Sequence, residues 1–241
     1  METKVRQEVI LWENIKHEYA IWYFTRCIRT ADFINDIDGK HLLDAGCGIG
    51  LLDNLIVNKE IVGIDIDRKN IRDGKQIRKI IKLKDNTVHT LVADLYFLPF
   101  KEKFDIVICT EVLEHLAENR IALATLLSVL REGGFLLITV PNILRLEFSQ
   151  LARLALRAKY LCPYHLREYK VSEVYNLIKS FPLRIEKITG VYFDFPLFHV
   201  FYLPTRVPIR SYIPLKFRFF VYRALYRIYA TFWMALERLF W

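Results

Sequence analysis

Between residues 40 and 140, short apolar runs alternate with longer stretches of mixed polarity. HLLDAG, IVGIDI, TVHTLVAD, FDIVIC and FLLITV each read as a strand, bounded by the glycines, aspartates and prolines that end strands. Between them the periodicity predicts a helix from about Ile49 to Val57, a basic helix from about Arg68 to Ile81, and a helix running through Leu130. Short apolar strands alternating with helices predict an α/β fold whose parallel sheet is covered on both faces. Upstream, residues 5–35 place Val9, Trp12, Ile15 and Tyr19 on one face, as a pair of short helices would. After Pro141, residues 143–160 and Val171 to Lys179 read as amphipathic helices, and RIEKITGVYF reads as a strand. The expected organisation is N-terminal helices over 1–38, a ligand-binding domain over 39–193 and an extension over 194–241.

The sharpest local signal is LLDAGCGIG, in which a strand runs into Asp44-x-Gly46-x-Gly48-x-Gly50 and then into an apolar segment. Glycines there let the backbone turn sharply and approach a ligand closely. A following helix would add free amide donors. Gly46 starts no GxGxxG, because Leu51 stands where the third glycine would be, so the dinucleotide fingerprint fails. The P-loop pattern GxxxxGK[ST] does not occur in the chain.

Four further elements follow in order. Asp65 ends the strand IVGID, 21 positions after Asp44, where a carboxylate can accept two hydrogen bonds from a ribose diol. Asp67 is the better-placed helix cap. In VADLYFLPF, Asp94 follows a strand and can accept from an exocyclic amine, beside the backbone amide of Leu95. In FDIVICTEVLEHL, Asp105 opens a strand that Thr110 and Glu111 close. LREGGFLLITVPN is a Gly-Gly turn feeding a strand that ends at Val140, Pro141 and Asn142.

This ordered set over residues 42–142 resembles the class I S-adenosylmethionine-dependent methyltransferases, in particular the small-molecule and lipid-linked group that includes quinone-biosynthesis methyltransferases. The stretch HLREYKVSEVYNLI, which begins at His165, is more loosely similar to that family's entry into a helix after the core. The resemblance implies a Rossmann-like parallel sheet, S-adenosylmethionine as cofactor and a methyl-transfer activity. It also implies that Asp44, Gly46, Gly48 and Gly50 hold the methionine moiety and the turn, Asp65 with Ile66 the ribose side, and Asp94 with Leu95 the adenine. Thr110 and Glu111 would line the methionine end. One last strand is expected from RIEKITGVYF, but a second strand for the family's closing hairpin is not evident.

A sulfonium methyl is already activated, so alignment matters more than a protein nucleophile. A general base is needed only where the acceptor is a hydroxyl that must lose its proton. The candidates are His165 and His115, with His199 and Tyr164 less well placed. The resemblance gives His115 a packing role at a helix start, whereas His165 falls where substrate-covering segments come.

Composition adds a compartment and a partner. Cys27, Cys47, Cys109 and Cys162 form no CxxC pair and no metal spacing with histidine, which predicts a reducing compartment, no disulfide framework and no metal site. The charged N-terminus lacks a signal-peptide core, so a cytoplasmic enzyme is expected. Residues 1–142 carry 19 Lys+Arg and 21 Asp+Glu, whereas residues 143–241 carry 16 and 6, so the basic character is all in the second part. That part ends in LKFRFFVYRALYRIYATFWMALERLFW, Leu215 to Trp241. On a helix, its Lys216, Arg223, Arg227, Glu237 and Arg238 form a narrow stripe beside a wide apolar face. Such a helix suits an anionic membrane surface on the inner face. Burial against the domain or against a second copy in an oligomer is the alternative, with RNA third because no RNA-binding motif accompanies the arginines. The expected acceptor is therefore a hydrophobic or lipid-linked small molecule, methylated at oxygen. The alternatives are an RNA or protein methyltransferase and a non-catalytic cofactor-binding module.

Overall fold

The computed structural model describes residues 20–81, 87–142 and 164–190, and the side chains of 20–25, 80 and 81 are not part of that description. Residues Cys27–Ile188 form one compact unit. Its centre is a five-stranded sheet built from β1 (His41–Ala45), β2 (Glu60–Asp65), β3 (Thr87–Val92), β4 (Phe104–Thr110) and β5 (Leu130–Thr139), in the order β3-β2-β1-β4-β5. Every pairing is parallel. The described helices are α1 (Ala20–Asn35), α2 (Arg68–Ile81), α3 (Asn119–Val129) and α4 (Val171–Lys179).

Strand alternation sorts the core into two layers. Leu43, Ala45, Val107 and Cys109 point to one face and join Leu113, Ala122 and Leu126, the latter two from α3. Leu42, Ile106 and Ile108 point to the other face and are equally buried. Strands buried on both faces are continuously apolar, which is why they were legible as runs. The strand order reverses direction between β1 and β4, and a parallel sheet opens a crevice beyond the carboxyl ends of its strands at such a switch point. Both the loop after β1 and the loop after β4 end there.

The N-terminal edge of the sheet is closed by Asp105, whose carboxylate accepts the backbone N–H groups of Lys40 and His41 at 2.9 Å each and pairs with Arg131. Asp105 is thus structural and lies at the end opposite the crevice. Near the crevice, α2 starts where Asp67 accepts the N–H of Lys69 at 2.7 Å. The last described helix, α4, starts with Glu173 accepting the N–H of Lys170 at 2.7 Å.

Two sequence expectations are corrected. Residues Ile49–Val57 are not a helix; Leu51 to Leu55 form a turn in which the Leu55 N–H bonds the Leu52 carbonyl three residues back at 2.9 Å. The segment is short and buries Leu51, Leu52, Asp53 and Ile56 together, more side chains than one face of a two-turn helix can put inside. In RIEKITGVYF, residues 184–188 pair with no strand; Arg184, Glu186 and Lys187 leave too little apolar surface to cover the β5 edge. Its last three residues lie outside the described range, as do residues 1–19, 143–163 and the extension from Asp194 onward, including His199 and the 215–241 segment. No described helix is long and apolar enough to cross a membrane.

Candidate active site

The loop after β1 is shaped by two glycines. Gly46 has φ +86°, and a Cβ placed on it would overlap Val112 Cγ2, so both the backbone and the neighbouring loop exclude any larger residue. Gly48, at φ +55°, is the opposite case: a Cβ there would meet nothing within 4 Å. One glycine closes the loop onto the chain after β4, and the next faces open space in the crevice. The N–H groups of Gly46 and Cys47 both reach the Ile64 carbonyl at 2.8 Å, which ties the loop to the end of β2.

Asp65 stands at that end. Its Oδ2 accepts the Gly48 N–H at 2.8 Å, and its Oδ1 accepts the Asp67 N–H at 2.8 Å and the Asn70 amide at 3.3 Å. With Asp67 as the helix cap, Asp65 is expected to be available to a ribose. Asp67 does cap the helix, yet Asp65 is also engaged, as the brace that holds the glycine loop. A carboxylate has about four acceptor positions, so three local donors leave it capacity for a ligand. Ile66, next to it, is 72% exposed despite being aliphatic. After β3, Asp94 Oδ1 accepts the Tyr96 N–H at 2.9 Å, Leu95 is buried, and Phe97 is 80% exposed. Two exposed apolar side chains, Ile66 and Phe97, therefore flank the acidic ends of β2 and β3.

Asp44 was expected at the site; its partner was not. Asp44 and Asp53 are both fully buried, and Asp44 Oδ1 and both Asp53 oxygens lack a hydrogen-bond partner. Burial, then the charge of Asp53, pushes the Asp44 carboxyl well above the usual range. Burial raises Asp53 to about 6, moderated by the adjacent Asp44 carboxyl and by Arg78. Burial and the neighbouring negative charge both favour the protonated form of such a pair. Asp53 escaped sequence reading because the expected helix gave a polar residue in LLDNLIV an outward place. Cys47 beside them is a buried thiol whose pKa burial pushes upward, so it is no nucleophile.

Beyond β4 the chain bends sharply. Glu111 has φ +55°, rare for a residue with a side chain and typical of functional turns. Its N–H reaches the Thr139 carbonyl at 2.9 Å, and its Oε1 accepts from the Thr139 hydroxyl at 2.9 Å. Thr110 ends β4 one residue earlier. A 3₁₀ turn, Leu113–His115, then brings Glu114 and His115 next to a segment from far along the chain. The N–H groups of Leu166 and Arg167 donate to the Glu114 carbonyl at 2.9 and 3.3 Å. His115 and His165 meet edge to face, with ring centroids 5.0 Å apart. His115 makes that contact with 40% of its side chain exposed. His165 lies 3.4 Å from the carboxylate of buried Glu168. Burial lowers the His165 pKa, with Glu168 opposing. Tyr164 is exposed and offers its backbone carbonyl to His115.

Comparison with known proteins places this arrangement. A family model described as a methyltransferase domain matches residues 36–181. The chain is 29% identical over 157 residues to a "Probable S-adenosylmethionine-dependent methyltransferase" of Mycolicibacterium smegmatis, a match covering 64% of this chain and 56% of that protein. It is 26% identical over 199 residues to a ubiquinone biosynthesis O-methyltransferase of Rickettsia typhi, covering 76% of this chain and 78% of that one. The fold is shared with the magnesium protoporphyrin IX methyltransferase of Synechocystis PCC 6803, solved with bound SAH, at 19% identity and a TM-score of 0.51 over 68% of this chain and 72% of that one. A parallel sheet with a glycine loop at its switch point, matched over more than half its length by that family model, makes this chain a member of the methyltransferase-domain family and an S-adenosylmethionine-dependent methyltransferase.

Proposed function

We propose that the enzyme methylates a hydroxyl oxygen of an apolar or lipid-linked small molecule. The observation that carries this reading is the meeting of His115 and His165, flanked by Glu114 and Glu168, beyond the end of β4. Groups that handle a proton are required at the methyl end only when the acceptor must lose one. The ubiquinone biosynthesis O-methyltransferases among the relatives act in the same sense, as their name says. Exposed Tyr164 and Leu166 on either side of His165 supply apolar surface for an acceptor.

The residues fit the cofactor. Gly48 opens onto the crevice, Asp65 retains acceptor capacity for a ribose diol, and Ile66 and Phe97 offer exposed apolar surface for an adenine ring. Asp94 and the Leu95 amide are assigned to the adenine edge. Asp44, the Gly46–Gly50 turn, Thr110 and Glu111 are assigned to the methionine end. When bound, the cofactor supplies a methyl on a positively charged sulfur. The chain's part is to hold the acceptor oxygen in line and to exclude competing water.

The basic aromatic sequence of residues 215–241 supports a peripheral position on the inner face of a membrane, where an apolar acceptor would be met. Incubating the full-length protein with methyl-labelled cofactor and host extract tests the proposal. Label is expected in the lipid-soluble small-molecule fraction, in an alkali-stable ether. Label in RNA or protein would replace this acceptor class with another.

A further inference from the structure

Helix α2, RKNIRDGKQIRKII, carries six basic residues and one acidic one, Asp73. Two of the six are accounted for within the domain. Lys69 Nζ pairs with Asp73 at 2.6 Å, and Arg78 Nη2 turns inward to donate to the Thr90 hydroxyl at 2.8 Å. The other four, Arg68, Arg72, Lys75 and Lys79, line one open groove together with Ile71 and Val92. Their i, i+4, i+7, i+11 spacing puts them on one face of the helix, in a row about 16 Å long. Arg72 lies 3.5 Å from Asp73, a carboxylate that Lys69 already holds. Among the described residues, no carboxylate pairs with Arg68, Lys75 or Lys79.

The row is a burden on the fold. Like charges at i, i+3 and i, i+4 repel one another. Arg68 and Lys69 also stand in a first turn that holds no acidic residue, where the positive end of the helix dipole disfavours cations. Composition does not force this arrangement, because residues 1–142 carry 19 Lys+Arg against 21 Asp+Glu. Basic charge is gathered on one face within a stretch that is slightly acidic as a whole. A counter-anion from outside the domain would relieve it.

We infer that the face of α2 formed by Arg68, Arg72, Lys75 and Lys79 docks on a bilayer that displays anionic phospholipid headgroups. A phosphate seated between neighbouring side chains replaces their repulsion with charge-assisted hydrogen bonds, bidentate where an arginine donates. Four Lys or Arg clustered on a helix make a set of the size that recognises acidic lipid. Nucleic acid fits less well. Basic grooves that hold single strands add aromatic platforms for the bases, and no residue lining this groove is aromatic. The apolar share is small, chiefly the exposed Val92, so the contact orients the domain and does not anchor it. Val92 pairs in register with Asp65, at the carboxyl ends of β3 and β2 where the crevice opens. Docking by this face sets the mouth of the crevice at the edge of the bilayer, within reach of a lipid-linked acceptor. This role of α2 rests on the proposed peripheral position of the enzyme and adds which side of the domain faces lipid.

The test compares two full-length triple variants that lose the same charge. Arg68→Gln/Lys75→Gln/Lys79→Gln removes the unpaired members of the row, and Lys101→Gln/Arg184→Gln/Lys187→Gln removes three exposed cations elsewhere. Flotation is measured with vesicles of phosphatidylcholine mixed with phosphatidylglycerol. The row variant should bind at least tenfold more weakly than wild type, whereas the second variant should stay within about twofold. With repulsion relieved, the row variant should also melt at or above the wild-type temperature. Lower melting would make the row part of the fold and overturn its assignment to a partner. Equal losses in the two variants, or no loss in the row variant, overturn the face and leave a membrane contact through residues 215–241 standing. Wild-type protein that ignores the mixed vesicles overturns the peripheral position itself, and this face with it. Should the row variant fail to fold, hydrogen exchange of wild type decides instead. Slower exchange over residues 68–79 on adding the vesicles supports the face, and unchanged exchange overturns it. An oligoribonucleotide that wild type binds more tightly than the vesicles, and that the row variant releases, reassigns the row to nucleic acid and overturns lipid docking.

Discussion

Gly46 and Val112 touch so closely that a single added carbon has no place between them. The contact joins the loop after β1 to the loop after β4, the two strands that flank the switch point. Gly46→Ala must also adopt φ +86°, which L side chains rarely do. Strain and overlap together should destabilise the protein by roughly 2–4 kcal/mol. Thermal unfolding should show a clearly lower midpoint, with cofactor affinity reduced in whatever fraction folds. A variant as stable as wild type would mean that the two loops separate readily.

Asp65 is both a brace and a proposed ribose acceptor. Asp65→Ala should weaken S-adenosylmethionine binding by about 1.5–3 kcal/mol, or roughly tenfold to 150-fold, through loss of charge-assisted hydrogen bonds. Asp65→Asn keeps an oxygen for the Gly48 N–H, so its loss should be smaller. Calorimetry on the two variants checks the order. Equal, small effects would leave Asp65 as a brace alone.

These two residues also show what the sequence could carry. The spacing from Asp44 to Asp65 encodes a strand, a connection and a strand, and local periodicity was enough to place both carboxylates at strand ends. The helix cap by Asp67 was legible for the same reason. What failed depended on contacts distant in sequence. A helix over Ile49–Val57 is locally reasonable, but burial of Asp53 against Asp44 selects a turn. A strand in RIEKITGVYF fits its alternation, yet residues 184–188 find no edge to pair with. The meeting of His115 with His165 depends on how Leu166 and Arg167 bond to the Glu114 carbonyl, which no local pattern records.

Residues 215–241 give a prediction from sequence alone. Full-length protein should float with vesicles containing anionic lipid, and binding should weaken with salt without vanishing, because the aromatic contribution is unscreened. Each basic residue near the surface contributes about 1 kcal/mol. Truncation after Pro214 should abolish flotation while calorimetry shows cofactor binding retained. Truncated protein that unfolds would assign the segment to the core instead.

The buried pair Asp44 and Asp53 predicts how stability varies with pH. Asp53 is raised to about 6 in the folded state, against an ordinary value of 3.8, and Asp44 is raised as well. The folded protein therefore binds more protons than the unfolded chain between these values. The stability that this proton uptake contributes is fully present below the unfolded value and is lost as pH rises through the folded one. The charged groups that bear on Asp53 are Asp44 and Arg78, with Arg78 holding the rise down. Asp53→Asn removes one acid and keeps a donor facing Asp44. Its unfolding midpoint should fall less between pH 4.5 and 7.5 than that of wild type, on the order of the pKa window itself. At pH 7.5 the variant should be the more stable of the two. Melting curves at intervals across that range decide the matter: parallel declines in wild type and variant would mean that Asp53 is not the residue that holds the proton.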